Sequence, residues 1–167
     1  MKQSFWPKNW WLFGLALIAT AGILGAILVP VILSARPVPM STRCLSNLKQ
    51  LGSATALYCV EFDNKLPLDS WLTGLYPYTK NHEMETCVEI ASKNGLCGYA
   101  YKFGLRGRSP TSTTDYESTV PYFETDALGK DVVANLAART KTRHEGITSV
   151  VFLDTHGKRL PADAKLK

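Results

Sequence analysis

The sequence predicts an α+β domain behind an N-terminal transmembrane helix, with an amphipathic helix packed on a small antiparallel β-sheet. Three observations predict it. Residues 10–33, WWLFGLALIATAGILGAILVPVIL, carry no charged side chain. Residues 44–62 repeat apolar side chains at helical spacing. Residues 148–160, TSVVFLDTHGKRL, read as two strands around a turn.

The apolar run comes first. At 1.5 Å per residue it reaches about 36 Å, enough to cross a hydrocarbon core of about 30 Å with some tilt. A secretory signal has a shorter apolar core and a small-x-small cleavage site. Here the best site, Leu33-Ser34-Ala35, has a large first residue, so the run reads as an uncleaved anchor. Trp6, Trp10 and Trp11 suit an interfacial belt. Lys2 and Lys8 precede the span and Arg36, Arg43 and Lys49 follow it, so charge does not set the orientation. Gly22 with Ala26 and Ala21 with Gly25 give the small-xxx-small spacing of associating membrane helices, which ordinary glycine content also produces.

Residues 34–40 form a connector in which Pro37 and Pro39 deny two N–H donors. Ser41 or Thr42 can then cap a helix. A rotation of 100° per residue places Cys44, Leu48, Leu51, Tyr58, Cys59 and Phe62 on one stripe, with Ser46, Lys49, Gln50, Ser53 and Glu61 opposite. Asp63-Asn64-Lys65 ends it, and Pro67 keeps the chain from continuing. Residues 70–80 suit a second, short helix that turns at Pro77. Residues 119–124, TVPYFE, suit a strand at a sheet edge because of Pro121. A short helix fits Asp131–Ala138. Thr148–Asp154 is the clearest strand, and KRLP returns after the DTHG turn.

Charge and cysteines narrow the function classes. The net charge is +5, yet residues 37–167 hold 16 Lys/Arg against 14 Asp/Glu. The basic character belongs to the anchor region and not to a concentrated face of the kind nucleic acid needs. Tyr99, Tyr101, Phe103, Arg106 and Arg108 could stack bases; an aromatic strand with solvated arginines is the simpler account. Cys44, Cys59, Cys87 and Cys97 include no CxxC pair, and an exported domain could use them as disulfides. Cys44 and Cys59 lie about 22 Å apart along one helix, too far to bridge. A Cys87–Cys97 bridge closing the polar loop is the first expectation, and bridges from the helix to that loop are the second.

Two candidate sites compete with structural roles. A Cys–His hydrolase would use Cys59 or Cys44 as nucleophile, His144 as base and Asp154 or Glu124 as orienter. Both helix cysteines fall on the apolar stripe, where burial suppresses the thiolate, so no catalytic residue is assigned. His144, Asp154 and His156 could hold a metal. A turn role for Asp154 and a backbone hydrogen bond for His144 account for them more simply, and no dense acidic loop supplies the six to eight oxygens calcium takes.

Several blocks together resemble one family. CLSNLKQLG at 44–52, the D-N-x-x-P end at 63–67, and His144 with Asp154 inside RHEGITSVVFLDTHGKRLP resemble type IV pilin-like proteins of bacterial type II secretion and pilus systems, in the subgroup with a C-terminal H-x9-D-G signature. ESTVPYFETDA resembles the strand ahead of that signature. AGILGAILVPVIL, with Pro30, resembles the hydrophobic N-terminal helix. The likeness runs from about Gly14 to Pro161, and Cys44, Asn47, His144 and Asp154 carry it. It implies a pilin-like fold and a non-enzymatic, pseudopilin-related structural or accessory subunit without a cofactor. It also implies a single-pass protein of the bacterial inner membrane, with residues 1–9 cytoplasmic, 10–33 transmembrane and 41–167 periplasmic. Expected partners are the membrane and other pilin-like or assembly-platform proteins. Some such proteins hold calcium in a C-terminal loop, where Asp126 or Asp131 could serve. The departures are specific. Lys8, Asn9 and Phe13 stand where the family has the processing glycine, an aromatic residue and the assembly glutamate, and Thr155 stands where the signature has glycine. The chain is therefore expected to escape prepilin peptidase. An independent extracytoplasmic domain that binds a ligand or partner is the alternative.

Overall fold

The computed structural model describes residues 9–34, 39–87, 90, 97–113, 115–141 and 143–166. The chain divides into two units, residues 1–37 and 38–167. The first contains helix α1, Trp10–Ser34, with Pro30 inside it. Its mean hydropathy reaches 2.5, and it is long and apolar enough to cross a membrane. The expected N-terminal tail at 1–8 and the connector residues 35–38 lie outside the described residues.

The second unit opens with helix α2, Met40–Glu61. Pro39 stands at its N-cap and no side chain caps it, so neither Ser41 nor Thr42 plays the expected part. Proline suits this place because the first N–H groups of a helix have no partner within it. The stripe is largely as its periodicity predicts: Cys44, Leu48, Leu51, Ala54, Thr55 and Cys59 are buried. Phe62 is the exception. It is 48% exposed and stacks on half-buried Tyr58 at 4.2 Å, because the helix stops one residue before it. Left-handed Asp63 and Asn64 turn the chain away, with φ of 50° and 54°.

Helix α3, Trp71–Thr79, retains Pro77 inside it and ends at left-handed Lys80. Its N-terminus is closed from elsewhere in the chain: Asp131 Oδ1 accepts the Leu72 N–H at 2.7 Å. Trp71 Nε1 donates to the Val132 carbonyl at 3.2 Å. Buried Trp71 also tilts against Tyr122, ring centroids 5.0 Å apart.

Among the described residues, five strands form one sheet: β1 Tyr99–Lys102, β2 Tyr122–Glu124, β3 Val133–Ala134, β4 Ile147–Val151 and β5 Gly157–Pro161. The order is β3-β1-β2-β4-β5. Three pairings are antiparallel, but β3 runs parallel to β1. The sheet is therefore mixed, which corrects the antiparallel expectation. Because β2 has β1 on one side and β4 on the other, the chain after it must move to the free edge of β1. It leaves β2 beside Tyr99, the start of β1, and so runs in the same direction as β1.

Two further expectations change. Strand β2 is central and not an edge. Pro121 is tolerated just ahead of it because only its carbonyl is used, accepting the Lys102 N–H at 2.8 Å. The segment expected as a helix at 131–138 is instead β3 followed by a 3-10 turn at Leu136–Ala138. The Val132 and Ala134 carbonyls accept from Tyr101 and Phe103, which outweighs a weak helical preference.

Alternation along the strands builds two cores. Tyr99, Tyr101, Tyr122 and Val151 face α2 and α3, together with Leu48, Leu51 and Trp71. Ala100, Phe123 and Val150 pack on the opposite face with Val120 and Phe152. Strand β5, at one edge, exposes Lys158 and Arg159, charges that discourage pairing with another chain.

One departure from the resembled signature falls in the β4–β5 turn. Thr155 has φ of 70°, a left-handed conformation in which a β-branched residue is strained and glycine is at ease. Thr155→Gly is expected to raise stability by about 1 kcal/mol, read as a higher urea midpoint at unchanged slope. A lower midpoint would refute the strain.

Candidate functional site

Four side chains that can hold protons or metals meet beneath the first turns of α2. Cys44 comes from α2, Cys87 from the segment after a 3-10 turn at Glu83–Glu85, Glu124 from the end of β2, and His144 from the turn ahead of β4. Their ligand atoms all lie within 4.8 Å of one another. Cys44, Cys87 and Glu124 have no exposed surface, and the His144 side chain is 4% exposed.

Strand alternation puts Glu124 there. It follows Tyr122 on the helix-facing side, directly opposite Tyr99. A buried carboxylate is costly unless both oxygens are satisfied. Oε1 meets His144 Nε2 at 2.9 Å, and Oε2 accepts the Ser149 N–H at 2.6 Å. Reaching Glu124 bends the chain at the imidazole. His144, Glu145 and Gly146 are all left-handed, with φ of 49°, 60° and 82°. The Gly146 N–H to the Arg143 carbonyl and the Ala162 N–H to the Gly146 carbonyl hold that turn. Non-glycine residues in this region cost about 1 kcal/mol or more each, so the pairing at Glu124 is set against real strain.

The surrounding groups fix the rest. Cys44 Sγ lies 2.8 Å from Cys87 Sγ, and Cys87 Sγ is 3.6 Å from His144 Nε2. Asn47, one turn after Cys44, donates to Tyr99 Oη at 3.3 Å and reaches the Thr86 carbonyl at 3.5 Å, holding the Cys87 segment against α2. Arg143 Nε bonds Asp126 Oδ1 at 3.2 Å. Gly98 leaves room for this layer: a Cβ there would come within 2.5 Å of Arg143 Nη1 and 3.2 Å of Cys87 Cβ.

The hydrogen bond with Cys87 and then burial drive the pKa of the reduced Cys44 side chain far up. Burial lifts Cys97 to about 12 and also raises Cys59. Burial alone would lower His144, but the charge of Glu124 and the contact with Cys87 outweigh it and raise its pKa. For Asp126, burial is overcome by hydrogen bonds from Thr140, the Lys141 N–H and Arg143, and its pKa falls.

The fold thus brings His144 and Glu124 to Cys44, a meeting that no linear pattern announced, and adds Cys87, which the hydrolase reading left out. It does not bring Cys59: that sulfur bonds the Lys65 carbonyl at 3.3 Å, near the other end of α2. The arrangement is a poor nucleophilic relay. His144 meets both Cys87 and Glu124 through Nε2, whereas a relay uses opposite ring nitrogens. The group is also sealed from substrate.

The metal trio His144, Asp154 and His156 is not assembled. Among the described residues, the metal-competent group is Cys44, Cys87, Glu124 and His144. Asp154 pairs with His156 inside the β4–β5 turn and accepts its N–H at 3.1 Å, which is turn chemistry. The calcium candidates are engaged too, Asp126 with Thr140 and Arg143, Asp131 at the start of α3. Zinc takes a Cys, His and Glu donor set, but two thiolates on one zinc stand about 3.7 Å apart. From 2.8 Å the sulfurs would have to part by about 0.9 Å for that, and the imidazole and carboxylate, 2.9 Å apart, would also have to separate.

None of the four cysteines is bridged in the structure. The sulfur beside Cys87 is that of Cys44, while Cys97 Sγ contacts the Tyr99 backbone at 3.4 and 3.6 Å. In the aromatic segment, Tyr99 and Tyr101 are fully buried and unavailable for base stacking; Arg106 lies over exposed Phe103 and pairs with Asp69. Separately, Thr55, Cys59, Leu66, Pro110, Tyr116 and Leu153 line a cleft of about 630 Å³.

A raised histidine pKa favours the fold while the imidazole is charged. That contribution is full below about pH 6.5, the unfolded value, and is lost as pH rises through the higher folded value. The urea midpoint of the wild type is expected to fall across this window relative to His144→Gln; parallel profiles would remove the charged pair. Comparison with protein-family models, curated proteins and solved structures returns no match.

Proposed function

We propose that the chain is a membrane-anchored, non-enzymatic pilin-like subunit, structural or accessory, related to type II secretion and type IV pilus systems. In this reading α1 is the anchor, residues 1–9 are cytoplasmic and residues 41–167 extracytoplasmic, on the bacterial inner membrane. The observation that carries it is the gathering of three resemblance residues, Cys44, Asn47 and His144, around one buried layer where α2 meets the sheet. That gives the resembled blocks a shared structural purpose. Asp154 serves the turn at the other end of β4. Sealed thiols and a doubly satisfied carboxylate favour a structural role over catalysis.

The test is photocrosslinking in membranes from the exposed face of α2, at Leu57 and Val60. Adducts to other pilin-like or assembly-platform proteins are expected, and a chain that crosslinks to none would refute the reading. Coexpression with a prepilin peptidase is expected to leave the chain mass unchanged, because Lys8 and Phe13 replace the processing glycine and the assembly glutamate.

A second reading, an independent extracytoplasmic binding domain, draws on the cleft beside Cys59. Its volume falls in the range of small-molecule pockets. It predicts that a compound screen finds a ligand raising the melting temperature, and that Ala56→Trp, at the cleft wall, abolishes the rise. A ligand whose effect survives Ala56→Trp binds elsewhere, and the cleft then has no part in it.

A further inference from the structure

We propose that Cys44 and Cys87 form a disulfide that staples the start of α2 to the segment ahead of β1. Their sulfurs lie 2.8 Å apart, inside van der Waals contact and under an ångström from the bonded distance of about 2.05 Å. A metal would require the same two sulfurs to separate and the Glu124–His144 contact to open.

The other thiols are excluded by position. Cys59 lies near the far end of α2, about 22 Å from Cys44 by helical rise, with its sulfur on the Lys65 carbonyl. The Cys97 sulfur is turned to the Tyr99 backbone.

The bond would close a chain loop 43 residues long that contains most of α2 and all of α3. Unfolded, that loop would lose much of its freedom, and this is how a disulfide stabilises. Cys87 would be pinned where it touches His144 and Glu124, in a segment otherwise held to α2 by the Asn47 contact with the Thr86 carbonyl. Both sulfurs are fully buried, so reductant reaches the bond only as the chain unfolds.

The chemistry is thiol–disulfide exchange. One thiol, deprotonated, attacks a disulfide oxidant and releases one thiol from it. The second then displaces the remaining half. Two protons and two electrons pass to the oxidant, which leaves as two thiols. In the cell the proposal rests on the exported placement above, since oxidants of this class persist outside the cytosol.

The test equilibrates the full chain in detergent with oxidised and reduced glutathione, then alkylates and digests it without reductant. One linked peptide pair containing Cys44 and Cys87 is expected. Separate alkylated peptides for both, a Cys87–Cys97 link, or one zinc per chain with both thiols unlinked would overturn the proposal. Reductant should lower the melting temperature by roughly 10 °C and leave the Cys44→Ser, Cys87→Ser double variant unmoved; a wild type indifferent to reductant also overturns it. Mapping the chain after alkylation in living cells separates the two readings. A link that forms with glutathione but is missing in cells sinks the exported placement and upholds the pairing.

Discussion

The structure depends on one buried carboxylate. Glu124 ends the central strand on its helix-facing side, where no water reaches it. An unpaired charge there would cost more than most single core contacts contribute. Both oxygens must therefore be met, and meeting them draws in His144 from the turn ahead of β4 and the Ser149 N–H from β4 itself. The left-handed run at His144–Gly146 follows from the need to place the imidazole.

From that pairing the rest of the layer is assembled outward. Cys87 rests on His144 and faces Cys44, and Asn47 ties the Cys87 segment to the helix. Gly98 keeps the space that Arg143 and Cys87 fill. Arg143 reaches Asp126, and Asp126 also accepts from Thr140 and the Lys141 N–H. Polar groups in this layer join α2, the sheet and the segment after β3, while the apolar clusters on the two sheet faces supply nondirectional burial. The division is physical: apolar packing tolerates sliding, and hydrogen bonds with ions specify register.

The candidate site was only partly legible. Cys44, Glu124 and His144 each stand out along the chain, but in a reading that demands a nucleophile, with Cys59 as an equal choice. A Cys87–Cys97 bridge is the first expectation for a closed polar loop and a helix-to-loop bridge the second, and only the packing of α2 over that loop sets Cys44 beside Cys87. The His144, Asp154 and His156 group failed for a related reason. A strand of five residues separates His144 from the turn that holds the other two.

Local signals along the chain suffice for the apolar helix, the stripe of α2, its stop at Asp63-Asn64, and the hairpin of β4 and β5. In each, side-chain period and turn chemistry act over a few residues. Packing between distant segments makes β2 central, runs β3 parallel to β1, closes α3 with Asp131 and brings Cys44 to Cys87. Those outcomes turn on which backbone groups remain free once the sheet forms and on which buried polar atoms must find partners. Both conditions arise between segments 37 or more residues apart at Cys44–Cys87 and Glu124–Cys87, far beyond the reach of any periodicity.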